Sequence, residues 1–304
     1  MSDSPPAPFT AVRLGDGPLL ASGMPGLAGE DGAYIGGPTL LRVPEWVASP
    51  LGRYYLYFAH HLGRYIRLAT ADCLAGPWTV VPGGVLPLKT TAALNHVASP
   101  DVYLDEARQE IRLYFHGPSW IFLQRQVTYL ATSGDGLHFT AAPQKLGPPY
   151  FRVFPHGGWF YALAKQGKTG LLLRSRDGVG RFEPGPAILP RMRHPAVLKD
   201  GDTLWIFYSR IGDAPESILV APLRLAGDWR NWRPGEPSLL LAPERDYEGA
   251  GLPVAPSDRG GATEAVRQLR DPAIYVEDGR IYLLYSVAGE RGIALAELRR
   301  LSAH

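Results

Sequence analysis

Apolar positions in this chain gather in short runs bounded by turn residues, and no long stretch repeats them at the 3.6-residue helical period. The clearest unit spans 269–286. Arg270-Asp271-Pro272 leads into an apolar run from Ala273 to Val276, an Asp278-Gly279 turn follows, and an aromatic-rich run continues from Ile281 to Ser286. Earlier segments repeat it. Arg193-His194-Pro195 leads through Asp200-Gly201-Asp202 into Leu204-Trp205-Ile206-Phe207-Tyr208-Ser209, and Ser99-Pro100-Asp101 leads into Ile111-Arg112-Leu113-Tyr114-Phe115-His116. Each unit reads as antiparallel strands joined by tight turns.

The repeats divide the chain into blades at about 36–85, 95–146, 150–190, 193–241 and 269–300, with a long insertion at 242–268. Units of three or four short strands that cannot bury both faces alone predict an all-β, five-bladed β-propeller in one domain over 1–304. The last unit shows only three strands. A spare strand at 9–14 is expected to pair with it and close the ring, which would otherwise expose an edge. Residues 1–8 read as a tail and 15–37 as a loop.

Composition supports this picture. The chain has 304 residues with 35 glycines, 29 prolines and 15 tyrosines, a bias toward turns and pleated strands. With 31 basic and 29 acidic residues, the net charge of +2 gives no reason to expect nucleic acid or a membrane surface as partner. One cysteine, Cys73, excludes an internal disulfide and a cysteine-based zinc site. The start carries no secretory pattern and no apolar run approaches a membrane span, so a cytoplasmic location is expected.

In a propeller the first strand of each blade lines the channel and the second returns antiparallel, so first-strand starts and second-strand ends share one mouth. The starts carry His96 to Asp101, Tyr150 to Arg152, Arg193 and His194, and Arg270 and Asp271. The ends carry His60 and His61, His116, Lys165 and Gln166, Ser209 and Arg210, and Ser286. Residues scattered in sequence thus converge.

Arg270-Asp271-Pro272, Ser99-Pro100-Asp101-Val102 and the aromatic second strands resemble the five-bladed glycoside hydrolases, family 43 and the related families 32, 68, 117 and 130, over 36–298. The resemblance implies a site at the channel mouth. Family 43 places a base aspartate at the start of blade one, a second aspartate in blade three and an acid glutamate in blade four. Here Gly37 precedes Pro38, blade three offers Arg152, and His194 precedes Pro195, so that triad does not carry over. The chain reads as a divergent branch. Some relatives, such as family 117, are thought to use a histidine acid, which keeps His194 in play.

The expected function is carbohydrate-active and glycoside-hydrolase-like. Hydrolysis needs an acid for the leaving oxygen and a carboxylate for water or the anomeric carbon. His194 or Glu248 is the expected acid, and Asp101 or Asp271 the carboxylate. Glu248 qualifies only if the insertion folds over the mouth. His60, His96 and His116 are expected to contact sugar hydroxyls, with Arg152, Arg193, Arg210 and Arg270 holding polar or anionic groups and Trp120 stacking on a ring. For each there is a structural alternative: a capping aspartate, a satisfied wall histidine, a bracing arginine, a core aromatic. No cofactor is expected. A divalent ion on His60, His116 and His194 is less favoured, because no local His pair exists. The partner is a small carbohydrate; oligomeric state stays open. The rival readings are a non-catalytic sugar-binding propeller and a metal-assisted lyase or hydrolase built on the histidine cluster.

Overall fold

The second strands dictate the architecture. Tyr54–Ala59 reads Tyr-Tyr-Leu-Tyr-Phe-Ala, and every residue is buried. Side chains alternate across a strand, so Tyr55 and Tyr57 pack with Leu113 and Phe115 on one side, and Leu56 and Phe58 with Leu284 and Leu295 on the other. A strand buried on both faces must be apolar throughout, which is why these runs lack polar alternation.

The computed structural model describes residues 7–120 and 125–301; the greater part of the expected N-terminal tail, residues 1–6, lies outside them. Five antiparallel sheets follow one another along the chain. Blade one holds Gly36–Arg42, Tyr54–Ala59, Tyr65–Ala71 and Thr79–Val80. Blade two holds Ala98–Asp105, Glu110–Pro118, Gln126–Ser133 and Thr140–Ala141. Blade three holds Arg152–His156, Trp159–Gln166, Thr169–Ser175 and Glu183–Pro190. Blade four holds Met192–Asp200, Thr203–Arg210, Ile218–Arg224 and Ser238–Leu241. Blade five holds Arg270–Glu277, Arg280–Val287 and Gly292–Arg300. Its fourth strand is Phe9–Arg13, antiparallel to Gly292–Arg300 with Phe9 opposite Arg300 and Arg13 opposite Ala296. The innermost strands touch in a closed circle. The chain is therefore an all-β five-bladed propeller closed by its N-terminal strand. The stretch read as a loop at 15–37 is partly structured: Leu20–Ala21 also pairs with the last strand, and Gly29–Gly32 makes a 3-10 turn. Among the described residues no helix is long and apolar enough to cross a membrane.

The core lies between blades. Five buried clusters among the described residues fill the five blade interfaces. Tyrosines on second strands then fasten blades one and two each to the outer hairpin of the next. Tyr57 donates to the Gly136 carbonyl at 2.8 Å, and Tyr114 to the Gly178 carbonyl at 2.7 Å. Both hairpins are Ser-x-Asp-Gly turns tied internally, Ser133 to Asp135 and Ser175 to Asp177. Tyr57→Phe removes one fastening and leaves a buried carbonyl without its donor, an expected loss of about 1–2 kcal/mol. An unchanged denaturation midpoint would show that the bond adds nothing.

Candidate functional site at the channel mouth

Proline builds the mouth. Gly37-Pro38, Ser99-Pro100, His194-Pro195 and Asp271-Pro272 stand near the start of four inner strands. Proline has no N–H for the ladder, so the strand bulges there. The pairing register slips between Gly36 and Thr39, Ala98 and Asp101, Met192 and Pro195, and Arg270 and Ala273. A bulge re-aims the side chains beside it. Gly37, Ser99 and Asp271 take positive φ of 61°, 45° and 49°. Blade three lacks the proline, but Tyr150 has φ 67° at the matching place. Left-handed backbone at non-glycine residues costs about 1–3 kcal/mol and clusters at functional sites.

These residues enclose a small pocket lined by Asp271 and His194. Asp271 is 2% exposed. Its Oδ2 accepts from the Gly37 N–H and the Ser286 hydroxyl, both at 3.1 Å. Gly36 must be glycine for this arrangement, since a Cβ there would lie 2.7 Å from that oxygen. The other oxygen, Oδ1, is in direct contact with His194 Nδ1. Burial, followed by the charges of Lys165, Arg193 and Arg152, holds the His194 imidazole well below its usual range. It is therefore neutral at pH 7. Nδ1 faces Asp271 Oδ1, and a proton held there leaves the lone pair on Nε2. Nε2 has no partner among the described residues, and neither does the buried Nδ1 of His116.

Tyr150 stands between those histidines, 4.0 Å from the His194 ring and 4.4 Å from the His116 ring. Lys165 Nζ lies 5.5 Å from the Tyr150 ring centre. Burial, then the charge of Arg193, lowers Lys165 to about 8. The pocket offers about 20 Å³, room for one or two waters. It borders a wider groove of about 880 Å³ between blades two and three, and Gln126 and Tyr150 line both.

Of the expected residues, His60, His116, His194 and Asp271 meet at this pocket. The others lie elsewhere. Asp101 sits deeper in the channel, where its carboxylate accepts from the Val153 N–H at 3.1 Å and lies 3.4 Å from Arg152. Arg152 braces three blades by donating to the Pro100, Phe151 and Pro195 carbonyls. His96 is occupied by Asn95 at 2.7 Å and Gln126 at 3.3 Å, and burial pushes it down to about 4. Arg210 pairs with Asp213 at 2.8 Å. Trp120 is 79% exposed, not packed in the core.

The insertion does reach the mouth, but through 258–261. Arg193 donates to the Asp258 and Gly260 carbonyls, Arg270 donates to Gly260 at 3.2 Å, and the Gly261 N–H donates to His61 Nε2 at 3.2 Å. Glu248 is not brought there. It is fully buried against Arg13, at 2.8 Å and 2.9 Å, and the Tyr285 hydroxyl at 2.9 Å. The arginines therefore hold the protein's own loop, and Glu248 anchors the closing strand.

Two carboxylates escaped the sequence reading. Arg193 is paired with Glu216 at 2.8 Å, and Arg270 with Glu290 at 3.1 Å. Both glutamates lie in the hairpin after the second strand, in neighbouring blades, and Glu290 lines the pocket. Burial works to raise Glu290, but the hydrogen bond from His61 and the charges of His61, Arg270 and Arg193 outweigh it and hold the carboxyl below its usual range. The signal available in sequence was the repeated offset of an arginine at the inner strand and a glutamate beyond the second. Among the described residues no group of three or more His, Cys, Asp or Glu side chains is placed to hold a metal.

No protein-family model matches the chain. A curated relative, uncharacterized protein R118 of Acanthamoeba polyphaga mimivirus, is 36% identical over 94% of this chain and 90% of its own length. Among solved structures, CoXyl43, a β-xylosidase/α-arabinofuranosidase of family 43 from a compost metagenome, matches with TM-score 0.64 at 14% identity, covering 97% of this chain and 96% of its own. A family-43 enzyme from Xanthomonas citri gives 0.62 at 14%, covering 97% and 92%. An exo-β-1,3-galactanase from Phanerochaete chrysosporium gives 0.61 at 12%, covering 88% of this chain; this chain spans only 61% of the galactanase's length. At such identities the likeness establishes the shared five-bladed fold.

Proposed function

The chain belongs to one family with protein R118 of Acanthamoeba polyphaga mimivirus, and from the geometry of its channel mouth we propose that it is a glycoside-hydrolase-like enzyme cleaving a small glycoside or oligosaccharide there. The observation that carries this reading is the buried His194–Asp271 pair, with a free Nε2 facing a pocket of water size. His194 acts as base rather than the acid expected from sequence, because a neutral imidazole surrounded by cations has a lone pair to offer and no proton to spare. Nε2 takes a proton from a water, and Asp271 stabilises the imidazolium that forms. The sugar lies in the adjoining groove, whose volume suits an oligosaccharide. Lys165, on the groove wall and protonated at pH 7, gives the leaving oxygen its proton. That separation of two titrating groups by their environments supports His194 as base and Lys165 as acid.

The solved relatives include structures with xylotriose and with β-1,3-galactotriose, so xylosides, arabinofuranosides and galactosides open the substrate panel, with uronides added. Turnover of any member, lost in a His194 variant, supports the reading. Affinity without turnover across the panel would leave a sugar-binding propeller. That second reading draws on the positions where family 43 carries carboxylates, here Gly37, Arg152 and His194.

The acid assignment predicts an alkaline limit. Activity needs the ammonium form of Lys165, so kcat falls as pH rises through about 8. Lys165→Arg, which keeps its proton across this range, is expected to remove that limb at a lower plateau. A limb unchanged in the variant assigns the acid elsewhere.

A further inference from the structure

The groove beside the pocket has a charge that the molecule as a whole lacks. The chain is nearly balanced, 31 basic residues against 29 acidic. The groove is lined by Arg125, Lys145, Lys165 and Arg181, with no aspartate or glutamate. At the neighbouring mouth Arg193 and Arg270 are taken up in ion pairs. Arg125, Lys165 and Arg181 make no ion pair among the described residues. Arg125 and Arg181 are exposed at the rim, and Lys165 lies deeper, over Tyr150. Like charges gathered round one concavity repel and focus a positive potential into it. An anion in the groove relieves that repulsion. The groove is continuous with the catalytic pocket through Gln126 and Tyr150, so the anion belongs to the molecule being cleaved.

We propose that the groove between blades two and three selects an acidic saccharide, bearing carboxylate or sulfate groups, with Arg125 and Arg181 as the residues that determine this specificity. This rests on the reading above, in which the mouth handles a sugar, and it names the substrate class. Guanidinium forks match carboxylate and sulfate oxygens in pairs, and Gln126 and Gln166 on the same walls supply neutral donors and acceptors for hydroxyls.

The test is a calorimetric titration of the full chain with three probes: trigalacturonate, its neutral methyl ester, and a sulfated neutral trisaccharide. At least one anionic probe is expected to bind about tenfold or more tightly than the methyl ester. That margin should shrink as salt rises toward ~0.5 M and vanish in the double variant Arg125→Ala/Arg181→Ala, whose thermal midpoint stays in place because both side chains are exposed. Which anionic probe leads distinguishes carboxylate from sulfate. The proposal is overturned if neither exceeds the methyl ester, if the margin survives in the double variant, or if a short single-stranded oligonucleotide binds tighter than both. Turnover of the methyl ester with no anionic preference would sink this inference and leave the hydrolase reading standing. Anion-dependent binding with no turnover of any probe would do the reverse.

Discussion

His194→Ala is expected to lower kcat by about 10²- to 10⁴-fold, the usual contribution of a positioned acid or base, with little change in KM. Among the described residues, only His194 and His116 bring buried ring nitrogens without a hydrogen-bond partner to this pocket. Asp271→Asn tests the same unit from the other end. An amide in place of the carboxylate still accepts from Gly37 and Ser286 but no longer fixes the proton on Nδ1. The imidazole can then turn its protonated nitrogen toward the water, and kcat falls by a similar factor. The double variant separates a coupled pair from two independent residues. Groups acting as one unit lose about as much together as either does alone, so the double variant should be no slower than the worse single one by more than a few-fold. Multiplicative losses would mean that Asp271 serves the substrate directly, and wild-type rates in His194→Ala would remove the site altogether.

The fold was legible because three local rules agreed. The X-Pro starts, the Asp-Gly hairpins and the two-faced apolar second strands recur at blade spacing, and each is a consequence of backbone chemistry that sequence displays directly. Closure by Phe9–Arg13 was legible for the same reason, as an unpaired strand facing a short blade. The site was legible only where position along a strand decides it. His60, His116, His194 and Asp271 lie at starts or ends that must converge, and they do. Where a partner decides the role, sequence was silent. Arg193 and Arg270 stand at the right places to hold a substrate, yet their guanidiniums are taken by Gly260 and by Glu216 or Glu290. Backbone carbonyls leave no trace in composition, and a glutamate twenty residues away looks like any other. The protonation state of His194 depends on its burial and on Lys165, Arg193 and Arg152 from two blades, so it is a property of the assembled ring.

Glu248→Ala should unfold the protein more readily without touching the chemistry. Glu248 accepts from Arg13 Nε and Nη2, the Tyr285 hydroxyl, and the Glu244 and Arg245 N–H groups at 2.8–3.0 Å. Arg13 is the last residue of the strand that closes the ring, and Tyr285 belongs to the strand two places inward. One carboxylate thus ties insertion, closing strand and blade five together. Removing it strands a guanidinium and a buried hydroxyl, and breaking a buried pair from one side costs about 3–5 kcal/mol, a fall in thermal midpoint of roughly 5–8 °C. Burial works to raise the Glu248 carboxyl, but the Arg13 and backbone hydrogen bonds outweigh it and hold it below its usual range. A depressed carboxyl contributes stability that is present above its unfolded pKa and lost as pH falls through the folded one. The difference in stability between wild type and variant should therefore narrow on acidification below about pH 4.5. Specific activity of the folded variant, measured well below its melting temperature, should equal that of the wild type. An intact midpoint with kcat collapsed would return Glu248 to the catalytic role that its sequence position suggested, and would require the insertion to rearrange over the mouth when substrate binds.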